Sequence, residues 1–127
     1  MAVTVGIMET SVREILMDTD EENGYRFSPA FLLRALRDGL KRLHSIRPES
    51  RYLGLRLIRF TFPTVDGDLT PDQVQSARAT EIPVEERWIE AIVYYAVHKA
   101  YLIDSSDTAN ADLAAKYLSL SEGIARS

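Results

Sequence analysis

The sequence predicts a mainly α-helical fold: a four-helix bundle around a buried central helix, with a β-ribbon or long loop inserted between the second and third main helices. The central helix is indicated by residues 83–104, which are apolar around most of a helical circumference. Apolar residues recur at helical spacing in three other stretches, at 5–16, 28–46 and 108–126. Residues 51–82 break this period, which indicates the insertion. The 127 residues form one domain in this interpretation.

The first helix is predicted from residue 5 to near residue 18, with Glu9 and Arg13 as an i,i+4 pair in the favourable order, worth about 0.2–0.5 kcal/mol. An acidic loop follows, in which Asp18, Asp20 and Glu22 alternate like the start of a calcium loop. The twelfth position of that loop is Pro29 rather than a bidentate glutamate, so a solvated acidic loop is the favoured interpretation.

The second helix has clear boundary signals. Ser28 suits the N-cap, Pro29 suits the first helical position, and Pro48 stops the helix at residue 47. Gly39 inside it predicts the close approach of another helix. Phe31 points toward the polar arc, either as a partner contact or folded over the preceding loop. That arc is basic (Arg34, Arg37, Lys41, Arg42) and is interpreted as a solvated face rather than a nucleic-acid site.

The insertion begins with an alternating run, RYLGLRLIRFTF. Partway along it the apolar side chains change from one face of the strand to the other, a flip in apolar phase that predicts a strand with a bulge or sharp twist. Residues 70–73 form a capping-box pattern that opens a short helical turn, and residues 77–82 are predicted as a second strand. Long insertions in small domains are commonly functional. The candidate contacts to other subunits are Phe60, Phe62, Val65 and Leu69, together with Phe31.

The third main helix is predicted over residues 83–104, with Pro83 in its first turn and one narrow stripe left for water: Arg87, Glu90, Tyr94, His98 and Tyr101. Its charged interruptions exclude a membrane span. The fourth runs over 108–126, and Ser106 or Asp107 can cap its start. Its apolar stripe and end supply further candidate contacts, Tyr117, Leu120, Ile124 and Arg126. Residues 123–127 are predicted to form a mobile tail.

Composition narrows the chemistry. The chain has no cysteine, which removes disulfides and thiolate metal sites, and its formal net charge is −4, unlike a typical nucleic-acid-binding domain. Neither a secretory signal nor a nucleophile elbow, phosphate loop or zinc-helix motif is present in the sequence. We therefore expect no enzymatic activity, no cofactor and no metal.

Two stretches resemble the head–tail adaptor (connector) family of tailed bacteriophages. The first is FSPAFLLRALRDGLKRLHSIRPES and the second is IPVEERWIEAIVYYAVHKAY, followed by Asp104, Asp107 and a small-residue helix that reaches Tyr117. The order of elements is similar along nearly the whole chain. Ala35 departs from the pattern, since many relatives would have tryptophan there.

The resemblance implies a structural subunit of the virion neck, assembled in the host cytoplasm. Copies of the chain, commonly twelve, would form a ring below the portal protein, extend the DNA channel without sequence-specific binding, and carry a stopper or tail-completion protein. No membrane is involved in this role. The alternative from the residues alone is a small helical regulatory or antitoxin-like binding module.

Overall fold

The computed structural model describes residues 3–20, 22, 24–63, 66–103 and 108–127. Its elements are, in chain order, α1 (Val5–Leu16), α2 (Pro29–Ile46), β1 (Tyr52–Leu53), β2 (Arg56–Leu57), α3 (Pro71–Arg78), α4 (Ile89–Ile103) and α5 (Thr108–Arg126). Short 3₁₀ turns at Pro48–Arg51 and Glu86–Trp88 precede β1 and α4. The predicted class, a helical bundle with an inserted ribbon, is confirmed.

Helix α4 is the central element, and it packs against α5, α2 and α1. Its buried face includes Ile92, Ala96 and Ala100, none of which is accessible to solvent, and Trp88 lies beside it. These residues and the leucines of α2 form one continuous core, in which Leu32, Leu33 and Leu36 are fully buried. The fold is therefore built around α4, as the apolar circumference of residues 83–104 predicts.

The start of α4 and its predicted water-facing stripe are corrected by the structure. Pro83 lies outside the helix because Ile82 donates its backbone N–H to the Val3 carbonyl (2.9 Å), which holds this segment extended against the N-terminus. Only part of the stripe faces water: Arg87 and Glu90 are exposed, whereas Tyr94 and Tyr101 are half-buried. His98 is buried and its Nδ1 lies 2.9 Å from the Ala114 carbonyl, because α5 packs along this side of α4.

Helices α2 and α4 cross at Gly39. A Cβ atom at this position would lie 2.9 Å from the Ile92 carbonyl oxygen and 3.3 Å from the Ile92 Cα. The predicted close approach is confirmed, and it involves backbone rather than a side chain that could move aside.

The predicted strand with a bulge is instead a complete hairpin. Tyr52 pairs with Leu57 and Leu53 with Arg56, and Gly54 turns the chain with a φ of +63°. The flip in apolar phase falls between Leu57 and Ile58, where β2 ends. The predicted second strand at 77–82 is wrong, because these residues finish α3 and form a single bridge between Thr4 and Glu81. The capping box at Thr70 is confirmed, with both of its hydrogen bonds present.

Four charged side chains form a neutral cluster between α1, α3 and the loop before α2. Arg13 donates to Glu9 (2.9 Å) and to Asp18 (2.9 Å), and Arg78 donates to both oxygens of Glu9 (2.8 and 2.9 Å). The side chains of Glu9, Arg13 and Asp18 are at most 6% exposed. The predicted Glu9–Arg13 pair is confirmed, and Arg78 and Asp18 enclose it from outside α1.

Asp18 also organises the loop that enters α2. Its carboxylate accepts the backbone N–H groups of Arg26 (2.7 Å) and Phe27 (3.0 Å) in addition to Arg13. The Arg13 guanidinium in turn stacks over the Tyr25 ring, 3.5 Å from its centroid. The carboxylate therefore fixes the loop by internal hydrogen bonds, and the calcium-like spacing has a structural explanation.

Two of the helical glycines, Gly39 and Gly123, offer a matched test of the α2–α4 crossing. We expect Gly39→Ala to destabilise the protein by about 1–3 kcal/mol, because the added methyl overpacks against the Ile92 backbone. Gly123→Ala, where nothing lies within 4 Å of the new Cβ, should stabilise it by about 0.5–1 kcal/mol through helix propensity. Urea unfolding measures both changes, and a stabilising Gly39→Ala would contradict the crossing.

The buried cluster predicts a large effect of a single carboxylate. Asp18→Ala leaves Arg13 without one partner and two backbone N–H groups without their acceptor, so we expect a loss of about 3–5 kcal/mol in the free energy of unfolding. Glu14→Ala removes an exposed acidic side chain of α1 and should change the free energy of unfolding by about 0.5 kcal/mol or less. Equal melting temperatures for the two variants would show that the cluster contributes little.

Candidate interaction surface

The β1–β2 hairpin is the most exposed apolar feature among the described residues. Every residue from 51 to 57 is exposed, and the side chain of Leu55 at the turn is fully accessible. Tyr52, Leu53 and Leu57 are each about 40–50% exposed, and the base of the hairpin closes with a bond from the Ile58 N–H to the Arg51 carbonyl (2.9 Å). Exposed apolar surface of this kind is typical of protein-contact sites.

Positive charge is concentrated in the same part of the chain. Residues 26–62 contain nine Lys and Arg against two Asp and Glu, a net charge of +7, whereas the remaining residues sum to −11. Arg51, Arg56 and Arg59 on and beside the hairpin are all exposed. The overall charge of −4 is therefore the sum of a basic segment and an acidic remainder, and the total alone does not reveal this separation of charge.

Part of the basic arc on α2 is neutralised within the chain. Arg37 donates to Asp66 (2.8 Å), and Arg42 donates to Glu122 on α5 (3.0 Å). The Arg37 hydrogen bond lowers the pKa of Asp66, and the hydrogen bonds from Arg126 and Arg42 lower the pKa of Glu122. These pairs tie the 66–69 loop and α5 to α2.

The predicted contact residues in and before the insertion lie mostly against the core. Phe31 stacks on Phe27 with ring centroids 5.7 Å apart, which supports the interpretation that it folds over the preceding loop. Phe60 and Phe62 meet edge to face at 6.3 Å, and both are half-buried, as is Leu69. Val65 lies outside the described residues. A partner contact by any of these remains a prediction.

The predicted contact residues of α5 divide into two groups. Tyr117 packs between Tyr101 (centroids 5.9 Å apart) and Tyr94 (5.7 Å), and burial raises the pKa of Tyr101. Ile124 is also half-buried, so Tyr117 and Ile124 face the bundle. Leu120 and Arg126 are exposed, and these two remain accessible to a partner.

The end of α5 is attached to the end of α2 by one arginine. Arg47 donates to the carbonyl oxygens of Ala125 (2.6 Å), Arg126 (2.8 Å) and Ser127 (2.6 Å). The helix continues through Gly123 to Arg126. The mobility of residues 123–127 remains a prediction, and these bonds are the contacts that such a movement would have to break.

Met17 is a further exposed apolar residue, and the sequence pattern did not predict its exposure. Met17 is 89% exposed and adopts a φ of +57°, the sole positive value for a non-glycine residue in the described part of the chain. Exposed acidic residues surround it in sequence: Glu14, Asp20 and Glu22. Periodicity could not identify it, because position 17 lies just past the amphipathic stretch that predicts α1.

Two clefts formed by the described residues show no recognisable catalytic arrangement. The larger one, about 580 Å³, lies between the start of α2 and α3 and is lined by Tyr25, Ser28, Arg34 and Arg78, of which Arg78 is bonded to Glu9. The His44 Nδ1 lies 2.6 Å from Ser50 Oγ outside this cleft, but Ser50 is fully buried. Within the described ranges, no group of three or more His, Cys, Asp or Glu side chains is placed to hold a metal ion.

Comparison with known proteins returns no match to a protein-family model, to a curated protein or to a solved structure. In the part of the chain that the structure describes, no helix is both long enough and apolar enough to cross a membrane.

Proposed function

We propose that this chain is a structural subunit of the neck of a tailed bacteriophage. Copies of it would form a ring below the portal protein, extend the DNA channel and provide the platform for tail attachment. The observation that carries the proposal is the hairpin: an apolar projection, exposed along its whole length, on a helical bundle whose core does not need it. Such an element fits a protein whose role is to contact other subunits.

The resemblance to the adaptor family supports the same role. Its two stretches coincide with the two helices that build the core, α2 with its flanks and α4 with the segment before it. The order of helix, helix, insertion, central helix and terminal helix is the order that the resemblance implies. The resemblance contributes the phage context, and the hairpin contributes the reason to expect assembly.

The charges of the chain suit a channel that does not grip DNA. The net charge is negative, and Arg37 and Arg42 on the basic arc are paired within the chain, which leaves the exposed Arg51, Arg56 and Arg59 at the hairpin as the main unpaired group among the described residues. A protein that binds duplex DNA tightly needs several unneutralised cations along the phosphate backbone. Passage of the genome without sequence-specific binding is consistent with this arrangement.

The portal protein is the proposed partner of the outer side of α5. Leu120 and Arg126 are exposed there, beside the helix end that Arg47 attaches to α2. An exposed leucine next to a charged rim is the usual composition of a contact site between proteins. The downstream stopper or tail-completion protein would bind the ring on its other side.

A helical regulatory or antitoxin-like module is the second candidate. The observation that favours it is the net charge of +7 over residues 26–62, which gives one part of the surface an affinity for polyanions. This candidate requires a stable dimer that binds an operator duplex.

Electron microscopy of the protein mixed with the portal ring of its own phage tests the neck assignment. We expect an added ring at one end of the portal particle, and Leu120→Asp should reduce its occupancy about tenfold or more by placing an unpaired charge in the contact. Leu102→Asp, at a residue of matched exposure (44% against 41%), should leave it unchanged.

Two results would contradict the proposal. Bare portal particles at saturating wild-type protein would remove the neck assignment. A dimer that shifts one operator duplex, and not a scrambled one, would establish the regulatory module in its place.

A further inference from the structure

We propose that the β1–β2 hairpin of one copy docks on the acidic end of α1 in a second copy, in a head-to-tail contact. The inference rests on the proposed function in one respect only, that copies of this chain assemble. It adds the two surfaces that meet. The hairpin surface comprises Leu53, Leu55, Leu57, Arg51, Arg56 and Arg59. The acidic end comprises Glu14, Met17, Asp20 and Glu22.

The hairpin surface alternates apolar and cationic side chains. Leu55 at its tip is fully exposed, and Leu53 and Leu57 are 39% and 48% exposed. Arg51, Arg56 and Arg59 form no ion pair with any residue of the described ranges, and residues 50–65 include no acidic residue. A partner for this surface has to supply both apolar area and negative charge.

The acidic end of α1 has the complementary composition. Met17 is 89% exposed in a left-handed conformation that glycine or asparagine normally occupies at a helix C-terminus. A methionine in this position exposes its flexible thioether chain, which adapts to the shape of an apolar partner. Glu14, Asp20 and Glu22 are exposed around it, and between Arg13 and Arg26 the chain contains no basic residue.

The two surfaces cannot meet within one chain. The acidic end precedes α2 and the hairpin follows it, so that the 18 residues of the helix, about 27 Å long, separate them. Surfaces at opposite ends of one subunit form a heterologous contact, which closes into a ring or grows as a filament. Opposite charge on the two surfaces fixes the direction of the contact and disfavours hairpin-to-hairpin pairing.

A second copy explains these observations better than nucleic acid does. The three arginines could contact phosphates, but Leu53, Leu55 and Leu57 between them would gain nothing from a phosphate backbone. Nucleic acid would also leave the exposed Met17 and its acidic neighbours without a role. The self-contact accounts for both surfaces at once.

Complementary variants test the contact in trans. One chain carries Leu55→Ser with Arg56→Gln and so has a disabled hairpin; the other carries Glu14→Gln with Met17→Ser and so has a disabled acidic end. The control, Leu102→Ser with Lys41→Gln, makes the same change as the hairpin variant, the loss of one leucine and one positive charge, at exposed residues outside both surfaces. Sedimentation velocity up to about 1 mM measures assembly, and circular dichroism establishes that every variant is folded.

We expect the wild type and the control to form assemblies larger than a dimer, and each disabled chain to associate at least about tenfold more weakly. Mixing the two disabled chains should yield a 1:1 dimer that does not grow, because one intact hairpin meets one intact acidic end. The dimer should weaken as salt is raised.

Several outcomes would overturn the inference. These are a wild type that stays monomeric, a disabled chain that assembles like the wild type, and a mixture that forms no dimer. So would a hairpin variant that loses only its binding to a labelled DNA duplex, which would make the arginines a nucleic-acid site.

Assembly without portal binding would contradict the neck assignment and leave this contact standing. Portal rings formed normally by the hairpin-disabled chain would contradict the contact alone.

Discussion

The buried ion cluster of Glu9, Arg13, Asp18 and Arg78 is the constraint on which the arrangement of the helices depends. Removing these charges from water is costly, and only the complete set of partners offsets that cost. Arg78 brings α3 to α1, and Asp18 brings the start of α2 to the end of α1. One neutral cluster therefore fixes three elements relative to each other at the end of the bundle where Met17 is exposed.

The opposite end of the bundle is fixed by α2. Its close crossing with α4 at Gly39 sets the direction of the helix, and Arg47 at its C-terminus holds the last carbonyls of α5. The hairpin begins a few residues later, and all four of its paired residues are exposed. The fold therefore separates a self-sufficient core from a projecting contact element, which is the physical basis of the proposed role in an assembly.

The sequence predicts the parts of this structure that local physical rules determine. The bounds of α2 follow from the Ser28 cap and Pro48, and the close crossing at Gly39 follows from a glycine that a helix otherwise disfavours. The hairpin was harder to predict because only two residue pairs define it, and the alternation of Leu53, Leu55 and Leu57 continues across its turn as it would in one strand. The burial of Arg13 depends on Arg78, 65 positions away along the chain, and no local pattern reports such a partner.

Native-state hydrogen exchange tests most directly the claim that the hairpin is a contact element outside the core. In dilute protein we expect the amides of residues 52–57 to exchange almost as fast as an unstructured chain, while those at the α2–α4 crossing exchange only through global unfolding. In the assembled protein, residues 52–57 and 14–22 should gain protection together. Hairpin amides that are as protected in dilute protein as those of α4 would contradict the account, because the hairpin would then belong to the folded core.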